Sequence, residues 1–268
     1  MSDPNKPDDV RPSKADVDDI ADASIGVDTR IFRTLWDTLV HTPRVVEAAY
    51  AGDREKYVPI IRLFLVLFGL QFAIMALLNL PVGLSLETLA PDETSQAAVQ
   101  VWLDESSESF EAVEATLQSA SGWSVTIVSF LSSLPFLIML KFYKWQRSFF
   151  GHLLAYLAAT NASYIVMLPM MLLGAIGPLE FLFWGGFSLA MIVYFAATAR
   201  ILYRFYSQNA FVVALQTLGL VIILPITFLL MTIALLFIAD FALQQAHDMS
   251  IWRLFLLSAE AAAQGNSQ

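Results

Sequence analysis

The residues whose types could do chemistry are few: three histidines, His41, His152 and His247, and a short line of polar side chains beside the second. His152, Tyr156 and Ser163 recur at i, i+4 and i+11, with Ala159 between them, so a helix gathers them on one face. Inside an apolar helix such a face reads in two ways. Ionisable and hydroxyl groups are costly in hydrocarbon and mark pathways for ions or substrates. Equally, Ala155, Ala158, Ala159 and Ala162 surround them, and small residues let helices pack closely. The packing reading is preferred, and Asn161 falls roughly opposite.

Other chemistries lack their residues. The chain has no cysteine, which removes thiolate metal sites, disulfides and cysteine nucleophiles. His-Glu-x-x-His, Gly-x-Ser-x-Gly and the phosphate-cradling Walker loop are absent. The histidines are far apart and fall on different expected sides. No catalytic residue, cofactor or metal is therefore expected, and the chain is read as non-enzymatic.

Charged clusters remain. Lys141, Lys144, Trp145 and Arg147 lie in "KFYKWQRSFF", and Arg200, Arg204 and Arg62 flank other apolar runs. Cations and rings mixed at the end of an apolar run anchor a helix at a membrane interface, and could meet anionic lipid headgroups. Asp104, Glu108, Glu111 and Glu114 share the polar side of a stretch whose Val99, Trp102, Leu103, Phe110, Val113 and Leu117 share the other. One amphipathic helix with an acidic stripe is expected there, a candidate surface for a basic partner or simply a solvated face.

The elements that must position these residues are apolar runs. Of 268 residues 57% are hydrophobic and 15% charged, with a mean hydropathy of +0.62, against about a quarter charged in soluble domains. A helix needs roughly 20 apolar residues to cross a hydrocarbon core. Five stretches qualify: 58–80, 123–142, 152–176, 181–199 and 211–239. Pro135, Pro169, Pro225 and the pair Gly185-Gly186 are points where these helices could break. Gln71 and Asn79 in the first run are expected to bond across helices or sit at the outer interface.

Charge then gives direction. Every one of the fifteen Lys and Arg except Arg253 falls before or at the start of the first run, after the second, or after the fourth. The positive-inside rule makes that side cytoplasmic. The expected fold class is an all-α polytopic membrane protein with five transmembrane helices, N-in and C-out, carrying interfacial amphipathic helices. Residues 1–28 read as a disordered arm, 81–121 as an acidic periplasmic loop containing a helix, and 240–268 as a periplasmic tail. The net charge of −9 and pI near 4.7, sorted in this way, suggest no nucleic-acid partner. The lipid bilayer, a membrane-protein partner or a second copy of the chain are the partners expected.

Between residues 29 and 57 two short helices are expected. Ile31, Phe32, Leu35, Trp36, Leu39 and Val40 make an apolar stripe. Thr42-Pro43 has the order of an N-cap and a first-turn proline, and Gly52 suits the residue after a helix end. Helices this short need a surface to lie on, either the interface or the bundle.

Leu35, Asp37, Pro43, Tyr50, Gly52, Arg54, Tyr57, Val58, Pro59 and Arg62 form a pattern that resembles an uncharacterised bacterial family of multi-spanning membrane proteins. "RSFFGHLLAYLAATNAS", Arg147 to Ser163, is similar to that family's aromatic-His-Leu start of a middle helix. Two departures stand out: no cysteine ribbon precedes the pattern, and Ile60 replaces a second proline. The resemblance implies a membrane location and no particular activity; the location expected is the bacterial inner membrane. Five helices in this orientation are also similar in layout to Yip-type five-helix proteins. The function expected is a scaffold, assembly or membrane-organising partner, with a small transporter or channel component as alternative and a lipid-modifying enzyme third.

Overall fold

A computed structural model describes residues 30–53, 55–78, 83–174 and 180–265, and every regular element among them is an α-helix. The arm 1–28, Asn79 and most of the turn at 177–180 lie outside the described residues. The helices are α1 (Arg30–Val40), α2 (Thr42–Ala51), α3 (Ile60–Leu77), α4 (Leu86–Leu89), α5 (Glu93–Ser106), α6 (Phe110–Tyr143), α7 (Phe149–Gly174), α8 (Glu180–Phe205), α9 (Ala210–His247) and α10 (Ile251–Gly265). Five of them, α3, α6, α7, α8 and α9, hold segments long and apolar enough to cross a membrane. These segments fall on the five expected runs, with boundaries shifted by a few residues except at α9.

Prolines 135, 169 and 225 do not break their helices, which run continuously through all three. Gly185-Gly186 is likewise internal to α8. Gly186 is a close-packing site instead: a Cβ there would lie 2.4 Å from Cβ of Met170 on α7. Small-residue contact of this kind draws apolar helices together.

The chain divides into two compact units, Met1–Phe68 with Leu154–Arg204, and Gly69–Leu153 with Phe205–Gln268. In the first, α1 and α2 are joined by a single residue, His41. The expected N-cap Thr42 is already helical; His41 occupies the cap position without a side-chain cap bond. The Thr42 hydroxyl turns back to the Thr38 carbonyl at 2.8 Å, because α1 ends one residue away and leaves that carbonyl open. Gly52 closes α2 in the left-handed conformation (φ 73°), its N–H reaching Ala48 and Ala49 carbonyls, as its position suggested. Within this unit α7 meets the start of α3 through the buried Asn161, whose Nδ2 donates to the Ile60 carbonyl at 3.0 Å. Phe64 and Tyr164 approach to 6.2 Å beside it. The amide thus serves a helix terminus that Pro59 begins.

The second unit pairs α6 with α9 and adds a small helical cluster of its own. Leu86, Val99, Trp102, Leu103, Val113, Leu117, Leu243, Ile251 and Leu254 form one core from α4, α5, the start of α6, the end of α9 and α10. The single amphipathic helix expected across 99–117 is two helices. Ser107 adopts the left-handed conformation (φ 57°) and Ser109 caps α6 by accepting from Ala112 N–H. That break leaves Phe110 largely exposed, while the other five residues of the expected apolar face are buried. The last apolar helix continues past 239 to His247, because Asp240 is accommodated rather than terminating it. Its carboxylate, 6% exposed, accepts from Gln244 Nε2 at 2.7 Å, Ser250 Oγ at 2.8 Å and Ile251 N–H at 2.8 Å. It therefore caps the start of α10 from a neighbouring helix. Gly83 approaches Ser121 so closely that a Cβ would sit 2.4 Å from the serine Cβ, and its φ of +88° also needs glycine.

Candidate functional site

The first unit contains an amphipathic helix whose polar face points inward. On α1, Thr34 and Thr38 are 0% and 1% exposed, while Phe32, Trp36 and Val40 are 68%, 64% and 40% exposed. Thr34, Asp37, Thr38 and His41 follow one another at helical spacing, and the protein holds three of them by hydrogen bonds. Thr34 Oγ1 donates to the Arg30 carbonyl and accepts Val58 N–H at 3.0 Å. Asp37 accepts from the Tyr57 hydroxyl at 2.7 Å, and its other oxygen lies 3.1 Å from His41 Nδ1. In a water-soluble helix the two faces would be exchanged.

This polar network shifts two groups in opposite senses. Burial works against the Asp37 carboxylate, but hydrogen bonds from Tyr57 and His41, with the charges of His41 and Arg44, outweigh it and hold the carboxyl below its ordinary value. Burial, followed by the hydrogen bond to and the negative charge of Asp37, pushes the Tyr57 phenol up to about 12.

Next to His41 lies an open cleft of about 550 Å³, lined by Val40, His41, Pro43, Arg44, Ala199, Arg200, Tyr203 and Arg204. Its cations come from α2 and from the last two turns of α8. Arg200 Nη1 donates to the Leu39 and Val40 carbonyls at 3.0 and 3.3 Å, closing the end of α1. Arg204 Nη2 meets Glu47 at 2.9 Å in an exposed pair. Arg44 is exposed, and its guanidinium makes no hydrogen bond or ion pair among the described residues. The cleft therefore offers guanidinium donors above apolar walls, an arrangement suited to an anionic group carried on an apolar body.

The other residues singled out by type are placed as follows. Tyr156 packs edge-on against Tyr194, with ring centroids 6.4 Å apart, and its carbonyl accepts from Thr160. Ser163 bonds the Thr160 carbonyl at 2.8 Å. The Thr160 and Ser163 hydroxyls are thus turned onto carbonyls of their own helix. In the second unit, His152 is fully buried, its Nδ1 lies 2.6 Å from the Tyr206 hydroxyl, and its Nε2 has no hydrogen-bond partner among the described residues. Lys144 Nζ and Arg147 Nη2 both donate to the Phe205 carbonyl, at 2.7 and 3.4 Å, placing cations at the C-terminal end of α8. Arg147 also stacks near the Phe205 and Tyr206 rings, 5.3 and 5.2 Å from their centroids. Lys141 donates to the Trp145 and Arg147 carbonyls at 2.5 and 2.7 Å and lies 5.1 Å from the centroid of the exposed Trp145 ring. Lys141 thus closes its own loop, while Lys144 and Arg147 serve the carbonyl of Phe205. Arg62, in the first unit, is exposed near the start of α3.

The four acids are not brought together as a stripe, because the break at Ser107 separates Asp104 on α5 from Glu111 and Glu114 on α6. Asp104 and Glu111 are exposed. Glu114 accepts Leu86 N–H at 2.8 Å and so serves the first turn of α4. Glu108 lies 3.1 Å from His247 Nδ1, and Thr116 Oγ1 lies 2.8 Å from the other ring nitrogen. Hydroxyl, imidazole and carboxylate stand in the order of a nucleophilic triad. The hydroxyl, however, is bonded to the Ala112 carbonyl of its own helix, and the set fastens the end of α9 to α6. Among the described residues no three His, Asp or Glu side chains gather to hold a metal ion.

No family model, curated protein or solved structure matches the chain. The residues that build the cleft were only partly visible beforehand. Arg200 and Arg204 stood out as cations after an apolar run and His41 as a histidine, whereas Arg44 and Tyr203 were not connected with them. The overlooked signal was the polar sequence Thr34, Asp37, Thr38, His41, as regular as the apolar one beside it.

Proposed function

We propose that the chain is a non-catalytic multi-pass protein of a bacterial inner membrane, N-terminus cytoplasmic and C-terminus periplasmic. In this reading it works as a scaffold or assembly partner through helix packing and its juxtamembrane surfaces. The observation that carries the membrane reading is the apolar exterior of the long helices. On α9, Phe211, Leu215, Leu218, Ile222, Ile226, Leu229 and Ile233 follow one helical face and all are exposed. Leaving seven such side chains in water forfeits on the order of 10 kcal/mol, as much as the whole stability of a typical domain. Lipid removes that penalty, and the outward Phe32 and Trp36 of α1 fit an interfacial helix in the same way. The orientation rests on the distribution of Lys and Arg.

The scaffold reading is favoured over transport by the hydroxyls of Thr160 and Ser163, which bond helix carbonyls, and by the unbroken course of α6, α7 and α9 through their prolines. Two measurements test it. After an alkaline wash the protein should remain in the membrane pellet and leave it only with detergent; release by the wash would overturn the membrane reading. Native mass spectrometry after gentle extraction should find a stoichiometric protein partner; a lone chain moving solute across vesicles would replace the scaffold by a transporter.

A further inference from the structure

We propose that the cleft between α2 and the end of α8 binds the phosphate of an anionic phospholipid. The inference rests on the membrane reading above and adds a ligand to it. Three observations converge. Arg44, Arg200 and Arg204 place three cationic side chains around the cleft, with the His41 ring beside them, and Glu47 is the acid paired there. The walls between them are apolar, from Val40, Pro43, Ala199 and the largely exposed Tyr203 ring. The cleft also opens at the end of an apolar segment, Gly185–Phe205, which is where a headgroup would lie if that segment spans a bilayer.

The donors suit a phosphate. A guanidinium has five N–H groups, and Arg200 uses only Nη1 on the Leu39 and Val40 carbonyls. Those bonds fix its position without exhausting it. The Arg44 guanidinium makes no hydrogen bond among the described residues, and the Arg204–Glu47 pair is exposed enough to exchange the carboxylate for a phosphate oxygen. Val40 belongs both to the cleft and to the outward Phe32–Trp36–Val40 ridge. A phosphate seated on the arginines can therefore lay its acyl chains against that ridge. A soluble phosphate gains nothing from the ridge, which is why the lipid is the occupant assigned.

The test uses the full-length protein in detergent, given phosphatidylglycerol and phosphatidylcholine of identical acyl chains in equal amounts and weighed by native mass spectrometry. The wild type should retain phosphatidylglycerol preferentially. Arg44→Gln should lower that preference about fivefold, the effect of one arginine near an anionic surface, with no change in melting temperature. Glu47→Gln should raise it, and Arg33→Gln, at an exposed arginine that does not line the cleft, should leave it unchanged. Equal retention of the two lipids by the wild type would overturn the proposal, as would an Arg33→Gln effect matching that of Arg44→Gln. Displacement of the lipid by millimolar inorganic phosphate would also overturn it, assigning the cleft to free phosphate. A protein that stays with the membrane after the alkaline wash yet does not discriminate loses only this proposal. One released by the wash loses the membrane reading as well.

Discussion

Tyr57 gives its phenolic hydrogen to Oδ2 of Asp37 at 2.7 Å across twenty residues of sequence, and so ties the entry to α3 to the middle of α1. With Thr34 receiving Val58 N–H next to it, this contact holds the polar face of α1 inward and leaves its aromatic face outward.

Asp37→Ala should lower stability by about 2–3 kcal/mol, the worth of a charged hydrogen bond plus a donor left without its acceptor. Tyr57→Phe should cost less, since it removes the donor and leaves His41 on the carboxylate. Thermal unfolding in detergent, read by tryptophan fluorescence, measures both.

The same contact sets a pH dependence with two edges. The Asp37 carboxyl is held below its ordinary 3.8, so its contribution is present above that pH and lost as pH falls toward the lower folded value. The Tyr57 phenol is raised from 10.0 to about 12, so its contribution is full below pH 10 and lost as pH rises toward 12. Subtracting the ultraviolet titration of Tyr57→Phe from that of the wild type should leave one phenol ionising near 12. A difference curve centred on 10 would mean the bond is not kept in solution.

In the second unit, Asp240→Ala should be among the most damaging substitutions. It leaves Ile251 N–H and Ser250 without their acceptor in a buried place and should cost about 2–4 kcal/mol. Limited proteolysis should then cut first within α10. Removing the exposed Glu105–Arg253 pair, at 2.8 Å, should leave the melting temperature unchanged.

Gly83→Ala should destabilise by more than about 1 kcal/mol, because alanine resists a positive φ and its Cβ would meet Ser121. The serine would also be pushed off Leu84 N–H, which it accepts at 3.0 Å. Gly52→Ala makes the contrast: its φ is also positive, but no atom of the described residues lies within 4 Å of the added Cβ, so the milder loss isolates the backbone term.

Apolar length made the five long helices legible, since a run of twenty hydrophobic residues has few other uses. Ser107 was harder: "SSES" at 106–109 carried a helix stop and the Ser109 cap, but the apolar spacing from Val99 to Leu117 happened to bridge the break. The sense of α1 was not legible at all. Periodicity separates Phe32, Trp36 and Val40 from Thr34, Asp37 and Thr38, and only the distant partners Tyr57 and Val58 decide which set faces inward. The cleft was half legible, because Arg200 and Arg204 adjoin an apolar run whereas Arg44 reaches them through the turn at His41. Asp240 read as the end of a span because it is an acid closing an apolar run; its three donors explain why the helix continues.

The central claim is an odd number of membrane crossings with the N-terminal segment inside, and the cysteine-free chain makes it directly measurable. Single cysteines at Ser13 and Ser267, probed in intact bacterial spheroplasts with a membrane-impermeant maleimide, report the two ends separately. The account predicts immediate labelling at position 267 and labelling at 13 only after lysis. Labelling of both ends together, or of position 13 alone, would contradict it.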